Sequence, residues 1–417
     1  MKAFDIDYVR AQFPALGRTV NGFPVAYLDG PGGTQVPQRV LDAVSDYLVN
    51  HNCNIHGVFA TSEETDAIID GSHHALADFL GCDWHEVSFG ANMTTLTLLL
   101  AQGIARTLTP GDEVLTTQLD HEGDRGPWQL LEDHGIVVRE APVDVETCTV
   151  DMKAWENRLS SKTKLAAMGY ASNATGTVND VKRAAAAAHE AGALMFVDAV
   201  HFALHGSIDV RDIGCDFLAC SAYKFFGPHV GVLYVRTDAN EHVRPLKLRA
   251  QEDDPPFRFE TGTLNHEGIA GAGAAVEFIA DLGRHHAEDQ TGVATRRAAV
   301  VAGMKAIEAH EQPLAQRLIA GLSQIPGLRI YGPPAGSPRT STVSFTLPGF
   351  RADEVARALG AKGLFVWDGD FYATRLVELL GLADKGGLVR IGLAPYNTAE
   401  EVERTVAAVA ELLSSRL

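Results

Sequence analysis

Between about residues 85 and 240 the chain repeats one pattern: a short, continuously apolar run, a polar or glycine break, then a longer stretch of helical period. Seven such runs predict strands: EVSFGAN, DEVLTTQLDH, IVVREAPV, KLAAMGYASN, ALMFVDAV, DFLACSAYK and VGVLYVR. They are apolar throughout rather than at every second position, as in strands covered by helices on both faces. Helices are predicted from Met93 onward and over VKRAAAAAHEAG, where Gly192 supplies a stop. The pattern predicts an α/β core built on a mainly parallel, seven-stranded sheet.

The acidic, turn-rich stretch AQEDDPPFRFETGTLNHEG then breaks the alternation, and a long helical region follows from about Ile269 to Gln324. A second break, PGLRIYGPPAGSPRT, precedes STVSFTL, the helix RADEVARALGAKG, LFVWDGD, LVRIGLA and the amphipathic TAEEVERTVAAVAELLSSRL. This order predicts a smaller α+β domain over 286–417, beside a large domain over 21–285, with residues 1–20 packing against the small one.

Composition narrows the range of functions. The 417 residues are 46% apolar and 21% charged, the balance of a folded globular protein. A net charge of −18 repels phosphate backbones and anionic lipid, so neither nucleic acid nor a membrane is an expected partner. The first residues lack the basic flank and apolar stretch of a secretory signal, and Ala184 to Val200 is interrupted by His189, Glu190 and Asp198, too polar to span a bilayer. Five cysteines, an odd number without a C-x-x-C pair, fit reduced thiols. A cytoplasmic protein is expected. No P-loop or nucleophile elbow is present. Gly268, Gly271 and Gly273 follow a loop and read as helix packing rather than dinucleotide binding. The adjacent pairs His73-His74 and His285-His286 cannot share a helix face, and no metal site is expected.

Two residues carry more chemistry than their surroundings require. Asp198 ends one apolar strand, where ligands bind in open α/β sheets, and a carboxylate there needs a cation. Lys224, 26 residues on, stands at the end of the next strand. A lysine in an apolar setting has a depressed pKa and acts as a nucleophilic amine, so the pair points to a Schiff-base site.

These segments resemble the class V aminotransferase group of pyridoxal 5′-phosphate enzymes, and most closely its cysteine desulfurase and selenocysteine lyase branch. The resemblance runs in order through YLDGPGGTQVPQRVLDA, NIHGV, VSFGANMTT, GDEVLTTQLDHEGDRGPW, ASNATGTVNDVK, VDAVH, SAYKFFGPHVGVLYV, RFETGTLN and VRIGLAPYNTAEEVER. It implies the type I fold of pyridoxal phosphate transferases. It further implies that Lys224 holds the cofactor and moves protons, that Asp198 pairs with the pyridine nitrogen, and that His121 stacks on the ring. His201, where relatives usually carry Gln, and Asn173 would approach the ring's 3-oxygen. The phosphate would meet Met93 and Thr94 at a helix start, Ser221, and Tyr223 in place of the more usual His. Thr263 would reach the phosphate of a neighbouring subunit, implying a homodimer with shared sites. Arg390 would hold the α-carboxylate of a small amino-acid substrate, His56 would stand at the entrance, and Arg125, Trp367, Asp368 and Tyr372 would line the rest.

The resemblance breaks at one place. Desulfurases of this branch carry a sulfur-accepting cysteine in the small-domain loop, and here GLFVWDGDFYATR places Tyr372 at that position. Cys53, near His56, is the one cysteine in a position to approach the site, and its preferred reading is packing. The expected chemistry is therefore removal of an α-proton followed by β-elimination. Transamination and epimerisation remain open, and so does a cofactor-binding module without turnover, against which the retained Lys224, Asp198 and Arg390 argue.

Overall fold

The computed structural model describes residues 2–414; the final residues of the predicted helix TAEEVERTVAAVAELLSSRL lie outside the described residues, and the rest forms the helix Ala399–Ser414. All seven predicted strands form and pair in one sheet. Its order is Val87–Gly90, Gly231–Val235, Phe217–Ser221, Leu194–Asp198, Thr163–Gly169, Glu113–Thr117 and Val137–Ala141. Only Gly231–Val235 runs against its neighbours; the other pairings within the sheet are parallel. The register sets Asp198 opposite Ala219, which brings the carboxyl ends of two consecutive strands, and the residues just beyond them, to one edge of the sheet.

Both faces are covered, as the continuous apolar runs require. On one face Val114, Leu165, Phe196, Phe217 and Leu233 pack against Leu96, Leu100 and Ile104 of the helix Met93–Ala105. On the other, Leu115, Met168, Met195, Val197, Leu218 and Val232 join a cluster that includes Leu76 and Phe79 of the helix Ala60–Leu80 and Ile279 of the helix His266–His286.

The helical region expected as one run is two helices, His266–His286 and Arg296–Leu322, turned back on each other across 287–295. Gly283 and Gly303 sit where their backbones meet: a Cβ at either position would strike the other helix's main chain, at Ala299 or Ile279. The second helix serves both apolar clusters. Ala299, Val300, Met304 and Ile307 pack with the large sheet, whereas Leu314, Ala315, Leu318 and Leu322 pack with the small one. That sheet is antiparallel, in the order Arg329–Tyr331, Thr342–Thr346, Leu388–Gly392 and Trp367–Gly369.

Residues near the N-terminus reach both clusters too. Val9 and Phe13 join the large one, and Arg10 bonds to Glu401 at 3.0 Å. Ala26 and Leu28 lie in the small one, where Ala26–Tyr27 pairs in parallel with Leu364–Phe365 and Asp29 bridges to Gly392. Packing therefore crosses the 285/286 division at residues 26–28 and again at 299–307. Among the described residues, no helix is long and apolar enough to cross a membrane.

Candidate active site

A cavity of about 450 Å³ opens at the carboxyl ends of the central strands, and nine of the sequence-predicted residues line it: Met93, Thr94, His121, Asn173, Asp198, His201, Ser221, Tyr223 and Lys224. Four structural facts bring them together. The strand Leu194–Asp198 delivers Asp198 and, three residues later, His201; its neighbour Phe217–Ser221 delivers Ser221 and the turn Ala222–Lys224. The helix Met93–Ala105 begins at the cavity, its start fixed by Asn92, whose side chain accepts the Thr95 N–H at 2.9 Å. Helix Glu122–Gln129 begins likewise with His121 as its cap.

Asp198 is 7% exposed, and its Oδ1 accepts the Val200 N–H at 2.8 Å. Burial raises its pKa to about 7; the Asp120 charge adds to the rise, while the Val200 bond and Lys224 oppose it. Burial lowers Lys224 to about 7, Arg390 pushes it the same way, and Asp198 and Asp29 oppose. Its Nζ donates to the Pro31 carbonyl and lies 4.8 Å from the centre of the Tyr223 ring.

His121 accepts the Gly123 N–H on Nδ1 at 2.8 Å, so a neutral ring carries its proton on Nε2. Burial pushes it down to about 4, helped by the Lys224 and Arg390 charges. His201, forced well below the ordinary range chiefly by burial, meets the hydroxyls of Thr340 and Thr342 through Nε2, each at 3.1 Å. Ser221 Oγ accepts the Met93 N–H at 3.0 Å and keeps its own hydrogen to donate.

On the substrate side, Arg390 is 4% exposed in the strand Leu388–Gly392. Its Nη1 donates to the Asn173 carbonyl at 3.0 Å. Burial lowers its pKa to about 9, so it stays cationic at neutral pH. Tyr372 lies at the rim, 70% exposed, its ring centre 5.6 Å from that of His121. Arg125, His56 and Thr263, also expected here, stand off the cavity wall within one chain. Arg125 is taken up by Glu140 and by Glu122, the latter at 3.1 Å; His56 is exposed, 3.3 Å from Asp66; Thr263 lies on an exposed loop. Trp367 packs instead beside Gly32, where a Cβ would strike its indole.

Two wall residues, Asp120 and His229, escaped the sequence reading, as did Asp124, a buried carboxyl that interacts with Asp120. Asp120 accepts the Thr117 N–H at 2.7 Å and the Gly169 N–H at 2.9 Å, and burial raises its pKa to about 6. Burial, together with the charges of Asp120 and Asp198, drives the Asp124 carboxyl well above its ordinary value; its Oδ1 accepts the Trp128 indole N–H at 3.0 Å. A strand-end position marks Asp120 as it marks Asp198, so that signal was available. His229, stacked on Tyr223 at 4.9 Å, had none, because it faces the site only through the fold.

The Aminotransferase class-V family profile matches residues 26–301 and 293–405. A cysteine desulfurase of Pectobacterium atrosepticum is 32% identical over 422 residues, covering 97% of each chain, and a probable cysteine desulfurase of Vibrio cholerae is 32% identical over 421 residues, covering 97% of this chain and 98% of that one. Among solved structures, the apo cysteine desulfurase of Thermococcus onnurineus superposes over the whole of both chains with a TM-score of 0.88 at 28% identity. A cysteine desulfurase of Escherichia coli, covering 99% of each chain, gives 0.85 at 27%. The chain belongs to the class V aminotransferase family, as a pyridoxal 5′-phosphate-dependent enzyme of its cysteine desulfurase-like branch.

Proposed function

We propose that the protein acts on a small L-amino acid, removing its α-proton and expelling a β-substituent, without forming a persulfide on an enzyme thiol. The observation that carries this reading is the make-up of the cavity wall: none of the five cysteines lines it, and the small-domain turn beside it presents Phe371 and Tyr372. Burial pushes the Cys148 thiol up to about 11 and those of Cys82, Cys215 and Cys220 further, away from thiolate chemistry.

The residues fit the cofactor: a strand-end acid with one oxygen committed to Val200, a buried amine nearby, and a helix N-terminus with a spare hydroxyl for a phosphate. Bound pyridoxal phosphate supplies the electron sink for charge developing at the substrate α-carbon. In this reading Lys224 holds the cofactor and carries the proton at that carbon, and Asp198 holds a proton on the ring nitrogen. Met93, Thr94, Ser221 and Tyr223 bind the phosphate, joined across a dimer by Thr263. Neutral His121 covers the ring, His201 and Asn173 face its 3-oxygen, and Arg390 binds the substrate carboxylate. Tyr372 faces the departing group, with His56 at the entrance, while Arg125 stays paired with Glu122 and Glu140. Five free cysteines support a reducing, cytoplasmic setting.

The test is incubation of the cofactor-loaded protein with a panel of L-amino acids and identification of products by mass spectrometry. Pyruvate with ammonia is the expected outcome. A 2-oxo acid with aminated cofactor, or a change of chirality alone, would replace elimination by transamination or epimerisation; a sulfur adduct on any cysteine would overturn the thiol-free route.

A further inference from the structure

The turn between Gly369 and Thr374 holds two consecutive aromatic residues in the left-handed region, Phe371 and Tyr372, each with φ near 58°. Bulky side chains avoid that region, and such a backbone persists only where its surroundings over-determine it. Here they do. Asp370 accepts the Tyr372 N–H at 3.0 Å, the Ala373 N–H at 2.8 Å and the Thr374 hydroxyl at 3.0 Å. From the large domain, Asn173 Nδ2 donates to the Phe371 carbonyl at 2.8 Å and the Glu122 N–H to the Tyr372 carbonyl at 2.7 Å.

The outcome of this constraint is the position of one ring. The Phe371 ring centre lies 4.1 Å from the guanidinium carbon of Arg390. Asn173, which fixes the Phe371 carbonyl, also accepts Arg390 Nη1 through its own carbonyl. Arg390 is thereby tied at one nitrogen and on one face, while its Nε is buried without a partner. A guanidinium offers five N–H donors in a rigid fork, and its Nε–Nη2 edge matches a carboxylate through two parallel bonds. An aromatic ring orients that plane without using a donor, which an acidic neighbour could not do.

We propose that Phe371 is a positioning residue for substrate recognition: its ring, held by the strained turn, sets the Arg390 plane so that the Nε–Nη2 edge receives the α-carboxylate. The inference rests on the carboxylate-binding role given to Arg390 above. A turn relaxed to negative φ would lose its register with Asn173 and Glu122 and swing the ring from the guanidinium. The strain is therefore tied to recognition rather than to leaving-group chemistry.

The test is spectral titration of the cofactor-loaded protein with L-alanine and with ethylamine, which lacks the carboxylate, alongside equilibrium dialysis for cofactor affinity. Phe371→Leu is expected to weaken L-alanine binding about tenfold, the worth of one desolvated cation–π contact, with ethylamine and cofactor affinity unchanged. Phe371→Tyr is expected to restore it. Phe371→Gly suits the left-handed backbone, keeps the turn and should reproduce the loss, which covers a misfolded leucine variant. Equal losses for alanine and ethylamine, loss of cofactor, or unchanged alanine affinity in both ring-deleted variants would overturn the proposal. Arg390→Ala separates the two levels: if it weakens alanine binding while the Phe371 variants do not, only Phe371 falls, and if it too has no effect, the carboxylate reading of Arg390 falls with it.

Discussion

Lys224 shows how burial alone prepares an amine. With a pKa lowered to about 7 from the ordinary 10.5, it is half neutral near physiological pH, where an exposed lysine would be almost wholly protonated. Only the neutral amine attacks an aldehyde, so capture of pyridoxal phosphate by the apoprotein should accelerate as pH rises through about 7 and then level off. Arg390 reinforces the depression, so Arg390→Ala should move the rise to higher pH. Stopped-flow absorbance between pH 6 and 10 checks both, and a rate still climbing at the top of that range would contradict the lowered value. The acids beside it divide by their bonds rather than their burial. Asp120 takes two backbone N–H groups, which oppose the rise that burial imposes, whereas Asp124 takes a single indole N–H and is driven well above its ordinary value by burial and by the charges of Asp120 and Asp198.

At the level of elements, the helices His266–His286 and Arg296–Leu322 cross with their main chains in close approach at Gly283 and Gly303. No flexible side chain can yield there, since the obstacle is main chain, so Gly303→Ala must separate the helices and disturb both apolar clusters that the longer helix joins. A loss of at least ~1–3 kcal/mol by urea unfolding is expected, whereas Gly360→Ala, in a helix with open space around it, should be neutral or stabilising. This crossing also marks where sequence reasoning ended. The helical period continues on either side of AEDQTGVAT, so nothing in the pattern announced the reversal at 287–295. Six of the seven large-sheet strands were legible because they are buried on both faces and admit few polar positions, whereas the edge strand Val137–Ala141 is half exposed and carries Arg139 and Glu140. Asp198 and Lys224 were legible because a charged residue ending such a strand is an exception to that rule. Phe371 was not, for its conformation is imposed by Asn173 and Glu122, residues about 200 and 250 positions away in the chain.

For the whole molecule, the proposed homodimer accounts for an otherwise awkward surface. Val49, Val58, Phe59 and Leu248 are more than half exposed, and an interface with a second copy would give such side chains cover. Light scattering should give about twice the 44.7 kDa chain mass, and a monomer that binds cofactor with full affinity would refute shared sites. The antiparallel small sheet was readable as α+β, yet the inclusion of Ala26 and Leu28 in its core was not, because that depends on a parallel pairing with Leu364–Phe365 from the far end of the chain. The same pairing orders events on the ribosome. Ala26–Tyr27 emerges early, but its partner strand is made about 340 residues later, roughly 20–70 s at ~5–20 residues per second. The large sheet has all its strands by Val235 and can close during synthesis, whereas the small domain cannot. Until Leu364–Phe365 has left the tunnel, Ala26 and Leu28 stand without the strand that covers them, so the small domain closes after the large one.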